Sequence, residues 1–172
     1  MIKKTFIKYR IRKGLKKKRT FPLPIKLKDA KKIGVIWETS QQNMIPSFEE
    51  LIHNYCKPSV EIQSIIYADK VNKKVALETD SLIQLKDINF LGKFKRIKTQ
   101  RFLRNDFDFI FCLSINMPLV IQNILANCNA KVRVGFLVEK NKSLLDFMFK
   151  PSDPKNTFQT FGEMLGYIQK LN

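Results

Sequence analysis

The chain has 172 residues, a length that suits one domain with a sizeable buried core. Its 44% hydrophobic and 11% aromatic residues exclude intrinsic disorder for the chain as a whole. The formal net charge of +17 is spread unevenly, because residues 1–28 hold twelve basic and no acidic side chains. Residues 29–172 hold twenty basic and fifteen acidic side chains. A polycationic segment therefore precedes a mildly basic domain.

The first segment predicts a helix followed by an extended connector. Apolar residues recur at spacings of three and four from Ile2 to Leu15, which is typical of a helix with a narrow apolar stripe and a broad cationic face. The two prolines of FPLP, at 21–24, favour an extended connection. We therefore divide the chain into a basic helix with its connector, residues 1–28, and a single α/β domain, residues 29–172.

Strands and helices alternate along the remaining residues. Short apolar, β-branched runs predict strands at 32–38, 60–68, 107–115 and 130–136. Helical periodicity predicts helices at 46–56, 98–105, 116–128 (with Asn116 as N-cap) and 156–171. Residues 71–86 fit either a strand or a short helix, and 88–92 read as a short strand or extended segment. The alternation predicts an α/β fold, a mostly parallel Rossmann-like or flavodoxin-like sheet with helices on both faces.

The side chains that most enzymes need are scarce. His53 is the only histidine, and no serine or cysteine stands at a recognisable spacing from it, so we expect a surface histidine on a helix. Cys56, Cys112 and Cys128 are scattered, which favours reduced packing residues over a metal or redox site. The six glycines form no phosphate-binding loop. We predict no catalytic residue, no metal and no cofactor.

Polar residues follow several of the predicted strands, where open α/β sheets bind ligands. The candidates for a small pocket are Ser40, Gln41, Asn43, Asp69, Ser114 and Asn116. The alternative is that these residues form turns and cap helices.

Three stretches, DINFLGKFKR, NDFDFIFCLSINMPL and NAKVRVGF, resemble a family of uncharacterised small basic bacterial proteins that carry a domain of unknown function. The positions that match its pattern are Asp87, Asn89, Phe90, Gly92, Lys93, Lys95, Phe107, Asp108, Ala130, Lys131, Arg133 and Gly135. The resemblance covers nearly the whole chain and implies no activity.

The FDFIFCLSI strand, its following helix and the AKVRVGF strand are also similar to the acceptor-side half of heptosyltransferase-type glycosyltransferases. That likeness implies a Rossmann-like fold and offers an alternative function, a sugar- or nucleotide-binding domain.

Three hypotheses explain the basic start: a solvated tail, a helix on an anionic membrane surface, and an RNA-binding arm. The third is our prediction, because the interleaved Phe6 and Tyr9 suit stacking on bases and a second basic stretch, KFKRIKTQRFLR, occurs at 93–104. The predicted nucleic-acid-binding residues are Lys3, Lys4, Lys8, Arg10, Arg12, Lys13, Lys16, Lys17, Lys18, Arg19, Lys93, Lys95, Arg96, Lys98, Arg101 and Arg104.

No run of 18 apolar residues occurs, and the start lacks the apolar core of a signal peptide. We therefore expect a cytoplasmic, non-enzymatic protein that associates with RNA or the ribosome, with an anionic membrane surface as the alternative partner.

Overall fold

A computed structural model of the protein describes residues 2–16, 26–38, 45–69, 81–137, 139–150, 153 and 156–171. Within these ranges six strands form one sheet: β1 (Lys32–Glu38), β2 (Glu61–Tyr67), β3 (Leu82–Ile83), β4 (Asp106–Cys112), β5 (Asn129–Phe136) and β6 (Phe147–Phe149). The helices are α1 (Ile2–Leu15), α2 (Ile45–His53), α3 (Ile97–Arg104), α4 (Leu119–Asn127) and α5 (Thr157–Lys170).

All strand pairs are parallel, in the order β3-β2-β1-β4-β5-β6. This is the order of Rossmann-type sheets, and it differs from the flavodoxin-type order. The prediction of a mostly parallel α/β sandwich is confirmed. Because β1 and β4 are neighbours while the chain winds in opposite directions from them, the sheet has a switch point between these two strands.

Each face of the sheet is covered by its own set of helices. On one face, Phe48 and Ile52 of α2 and Phe161 of α5 pack with Trp37 of β1. The other face buries α3 and α4, and the same apolar cluster contains Ile7 and Ile11 of α1. The central strands are apolar on both faces because both faces are covered, as expected for a parallel sheet. The division at residue 28 stays a prediction, and the structure adds that α1 contributes to the core of the domain.

Several sequence predictions need correction. Residues 88–92 form a turn, flanked by an isolated antiparallel bridge between Ile88 and Phe94. Strand β6 was not predicted. Asn116 is exposed and does not cap α4, which begins after Pro118 with no side-chain cap. Of residues 71–86, those at 71–80 lie outside the described ranges, and the remainder includes the two-residue strand β3.

Candidate nucleic-acid interface

Helix α1 lies against α4 and presents its apolar side to it. Ile7 and Ile11 are buried, and Gly14 stands against the last turn of α4. A β-carbon at position 14 would lie 2.8 Å from the carbonyl carbon of Ala126 and 3.2 Å from its β-carbon. Only glycine leaves room for two helix backbones to approach so closely. The stripe predicted from the sequence therefore holds the helix onto the domain.

A tight turn at 89–92 also packs on α1, beside the contact with α4. Asn89 Oδ1 accepts the Lys93 backbone N–H at 2.9 Å, and Gly92 adopts a φ of +76°, which suits a residue without a β-carbon. A β-carbon on Gly92 would lie 2.9 Å from Cδ of Arg10 and 3.2 Å from the carbonyl oxygen of Phe6. The Gly92 carbonyl in turn accepts a hydrogen bond at 3.0 Å from the amide of buried Asn123 in α4. The turn is thus wedged between α1 and α4.

Polar contacts link α1, the segment at 84–87 and the start of α3. Lys3 Nζ donates to the carbonyl oxygen of Leu85 at 2.6 Å. Asp87, which is mostly buried, accepts the Gln84 backbone N–H at 2.8 Å and forms an ion pair with Nε of Arg96 at 3.1 Å. Arg96 directly precedes α3. The three segments therefore hold one another in place on the same side of the sheet.

We call the surface formed by residues 2–16 and 81–104 the basic face. These two segments contain fourteen Lys and Arg side chains and a single carboxylate, that of Asp87. That carboxylate is turned inward and is paired with Arg96. The exposed cations of the basic face are Lys4, Lys8, Arg12, Lys13, Lys16, Lys86, Lys93, Lys95, Lys98, Arg101 and Arg104. A surface with so many like charges has a strongly positive potential, which attracts polyanions.

Large apolar side chains are exposed among these cations. The exposed fraction is 61% for Tyr9, 67% for Phe90 and 38% for Phe6. Phe90 stands in the turn whose Gly92 contacts the backbone of Phe6, so the two segments that carry these rings adjoin each other. Ile2 and Leu91 are exposed beside them. The apolar stripe of α1 is thus divided, with Ile7 and Ile11 facing the core and Phe6 and Tyr9 facing solvent.

A groove of about 1210 Å³ runs between α3 and the edge of β2. Its lining includes four cations, Arg96, Lys98, Arg101 and Arg104, and one carboxylate, that of Glu49. Strand β3 pairs only with Ile66 and Tyr67, so among the described strands none pairs with the earlier residues of β2 on this side. Four of the predicted nucleic-acid-binding residues therefore line one groove.

The remaining predicted residues have different positions. Lys3 and Arg10 are only half-exposed because they touch the loop at 85–92. Three predicted cations and three predicted pocket residues lie outside the described ranges: Lys17, Lys18, Arg19, Ser40, Gln41 and Asn43. The sequence prediction missed Lys86 and Phe90. The available signal for Phe90 was its place between Asn89 and Gly92, two residues that favour turns, since the tip of a turn is exposed.

The three described candidates for a ligand pocket, Asp69, Ser114 and Asn116, follow β2 and β4 at the carboxyl edge of the sheet. Buried Ser114 donates a hydrogen bond at 2.6 Å to Oε1 of Glu38, the last residue of β1, and accepts the Met117 backbone N–H at 3.1 Å. Asp69 is exposed and accepts a hydrogen bond at 3.2 Å from the hydroxyl of Tyr67. Burial, together with the nearby carboxylates of Asp69 and Glu38, raises the pKa of Tyr67 to about 12. Ser114 is therefore a structural hydroxyl, and Asn116 stands exposed beside it.

The thiols and the histidine match the expectation of packing and surface residues. Cys112 and Cys128 are buried, Cys56 is partly buried, and His53 is exposed. Burial raises the pKa of the Cys112 thiol to about 12 and that of Cys56 to about 11. Among the described residues no group of three His, Cys, Asp or Glu side chains could hold a metal ion. No helix within the described ranges is long and apolar enough to cross a bilayer.

Fold and surface together define an α/β protein with a Rossmann-type sheet and a cationic face built from its first helix and the segment before β4. The chain belongs to a family of unknown function, DUF6913, whose model matches residues 3–171. No curated protein and no solved structure matches the chain. The resemblance to heptosyltransferase-type enzymes and the bacterial origin stay expectations.

Proposed function

We propose that this protein is a non-enzymatic RNA-binding protein that uses the basic face. The observation that carries the proposal is the charge of that face, where fourteen cations accompany one buried, paired carboxylate. Other parts of the domain have nearly balanced charge, so the imbalance is local. Cations collected on one face are typical of proteins that bind the phosphate backbone of nucleic acids.

The geometry of α1 supports this proposal. The helix is docked through its apolar side, which leaves Lys4, Lys8 and Arg12 exposed at intervals of four residues along the helix. A docked helix holds these charges in fixed positions, so less conformational entropy is lost on binding than for a free tail. The cations of α3 line a groove beside β2 and add to the positive charge on this side of the sheet.

Each cation that contacts a phosphate releases condensed counterions, so the affinity for RNA falls as salt rises. The test is a filter-binding titration over a range of salt concentrations, with a ribosomal RNA fragment and the full chain. The variant Lys4→Gln/Lys8→Gln/Arg12→Gln should bind more weakly, and its log–log salt slope should be flatter by about two units, at roughly 0.7 per contact on a single strand.

A charge-matched control separates the basic face from net charge. Lys28, Lys150 and Lys170 are exposed and lie outside the basic face. Changing all three to Gln removes the same number of charges and should leave the slope nearly unchanged. Equal slopes for both triple variants, or binding to anionic vesicles without binding to RNA, would show that the proposal is wrong.

A second candidate function is the binding of a sugar or nucleotide at the carboxyl edge of the sheet. It is favoured by the strand order, because ligands of such sheets bind at the switch point, here between β1 and β4. Glu38, Tyr67 and Asp69 stand at or beside that edge. A rise in melting temperature with a nucleotide sugar, abolished in Asp69→Asn, would support this function, and the absence of any rise would exclude it for the sugars tested.

A further inference from the structure

Three exposed aromatic rings stand within the basic face, and the packing of the domain does not account for their exposure. Phe6, Tyr9 and Phe90 have exposed fractions of 38%, 61% and 67%, whereas most of the other phenylalanines among the described residues are buried. Outside the basic face, Tyr167 and Phe147 are also exposed, at 53% and 38%. The rings come from two segments, α1 and the turn at 89–92, which touch each other where Gly92 meets Phe6. The three residues therefore stand on two adjoining segments of the basic face.

We infer that the ligand of the basic face is single-stranded RNA, whose unpaired bases stack on Phe6, Tyr9 and Phe90 while its phosphates contact the surrounding cations. This inference rests on the proposed function and names its substrate class. In a duplex the bases are stacked inside, and the protein meets phosphates and ribose hydroxyls, for which aromatic rings offer little. Single strands present their bases, and any base stacks on an aromatic ring.

The shape of the face also favours a strand over a membrane surface. Exposed apolar side chains among lysines suit an anionic bilayer as well. However, the four cations of the groove, at Arg96, Lys98, Arg101 and Arg104, line a recess of about 1210 Å³ beside β2. A bilayer is flat on this scale and cannot follow a recess, whereas a flexible single strand can enter it. The groove thus adds phosphate contacts to the stacking region for a single strand.

The experiment uses the full chain and two fluorescent RNA probes: an unstructured strand and a duplex that contains the same strand. The wild-type protein should bind the single strand more tightly than the duplex at equal salt. Phe6→Leu, Tyr9→Leu and Phe90→Leu should each weaken binding to the single strand about fivefold or more, from the usual strength of base–aromatic stacking. Their salt slopes should equal that of the wild type, because no charge changes.

Leucine is chosen because it keeps an apolar side chain and removes only the ring, so membrane insertion would persist and stacking would not. Phe147→Leu is the matched control, since Phe147 is also 38% exposed but belongs to β6, outside the basic face. Melting curves should show that all four variants remain folded.

The outcomes separate this inference from the proposed function. Equal affinity for duplex and single strand, or three ring variants with wild-type affinity, would overturn the inference and leave RNA binding intact. Absence of salt-dependent binding to both RNAs would overturn both. Ring variants that lose single-strand affinity while Phe147→Leu keeps it, with duplex binding weaker throughout, would establish the inference.

Discussion

Gly14 of α1 and Ala126 of α4 meet with no space for a side chain, since a β-carbon on Gly14 would stand 2.8 Å from the Ala126 carbonyl carbon. The contact lies near the carboxyl ends of both helices, where an exposed glycine would otherwise weaken α1. The docking of α1 on α4 explains why a glycine occurs here. The close approach of the two helices allows Ile7 and Ile11 to be buried. The uncharged contact between Gly14 and Ala126 thus helps to position the segment 2–16, which carries half of the cations of the basic face.

Gly14→Ala should destabilise the protein. The added methyl group clashes with the backbone of Ala126, and overpacking of this kind costs about 1–3 kcal/mol of unfolding free energy. The control is Gly166→Ala in α5, where a β-carbon would meet only the Tyr55 hydroxyl oxygen at 3.6 Å. This change should stabilise the protein by about 0.5–1 kcal/mol through helix propensity. Urea unfolding measures both, and a Gly14→Ala variant as stable as Gly166→Ala would contradict the docking.

Asp108→Asn should lower stability at neutral pH by about 1–3 kcal/mol. The Asp108 carboxylate accepts the backbone N–H of Lys31 at 2.7 Å and of Lys32 at 3.2 Å, and pairs with Lys131 Nζ at 2.7 Å. Burial alone would raise the pKa of this carboxyl, but these partners outweigh it and hold the pKa below its usual value. Its contribution is therefore complete above the unfolded-state pKa, about 3.9, and is lost as the pH falls through the lower folded pKa.

The measurement for Asp108 is the unfolding free energy of wild type and variant from about pH 7 down to pH 3. The difference should shrink at the acid end of this range. Asp106→Asn is the control, because Asp106 is exposed and bonds only to the side chain of Asn129 among the contacts described. A pH-independent difference for Asp108→Asn would show that the lost contacts do not depend on its charge.

Most of the fold could be predicted from local pattern. Strand β1 occupies the predicted residues, and α3, α5, β4 and β5 differ by a few residues at their ends, because continuous apolar runs and helical periodicity are strong signals. Strand β6 was missed because a strand of three residues is too short to show an alternating hydrophobic pattern. Residues 88–92 resembled a strand because three of them, Ile88, Phe90 and Leu91, are apolar. The sequence does not show that only Ile88 is buried, while Phe90 and Leu91 are exposed in a turn.

The basic face could be predicted only in part. Charge counts identified both cationic segments, since charge is visible in sequence. The packing that brings them together could not be predicted. It depends on Gly92, where the second segment meets α1, and on Gly14, where α1 meets α4, and both contacts are too close for a side chain. The inward pairing of Asp87 with Arg96, which leaves the face without an exposed carboxylate, is likewise a tertiary contact.

Phe109→Ala and Ile124→Ala should each reduce the unfolding free energy by about 2–5 kcal/mol. Phe109 of β4 is 1% exposed and Ile124 of α4 is fully buried, on opposite faces of the sheet. Phe90→Ala is the control, since its ring is mostly exposed and its loss should change stability by less than about 0.5 kcal/mol. Unchanged melting of either core variant would mean that the face it belongs to is packed differently.

The three thiols should react slowly with iodoacetamide in the folded protein. The reactive form is the thiolate, and burial raises the pKa of Cys56 to about 11 and that of Cys112 to about 12. At about pH 8 intact-mass spectrometry should show much slower labelling than for protein unfolded in guanidinium chloride. Rapid labelling under native conditions would contradict the burial of Cys112 and Cys128 or the raised pKa of Cys56.

Two isoleucines of α1 provide the most direct test of how this helix is used. Ile7 is fully buried in the cluster that contains α4, whereas Ile2, on the same helix, is 73% exposed. Ile7→Ala should therefore cost about 2–5 kcal/mol of unfolding free energy, and Ile2→Ala less than about 0.5 kcal/mol. Both substitutions leave the charge unchanged and remove the same atoms. Denaturant unfolding of the two variants side by side makes the comparison.

If α1 were a free arm, the two variants would be equally stable, and deletion of the first residues would leave the domain unaffected. With the helix docked, deletion also uncovers the apolar surface of α4 that Ile7 and Ile11 cover. A truncated protein would therefore lose both stability and positive charge. A fall in its RNA affinity could not be assigned to the loss of charge alone. Substitution of exposed lysines changes the charge of α1 while its buried contacts remain, which is why the binding experiments rely on Lys4, Lys8 and Arg12. Equal stability of Ile7→Ala and Ile2→Ala would show that α1 is not held on α4.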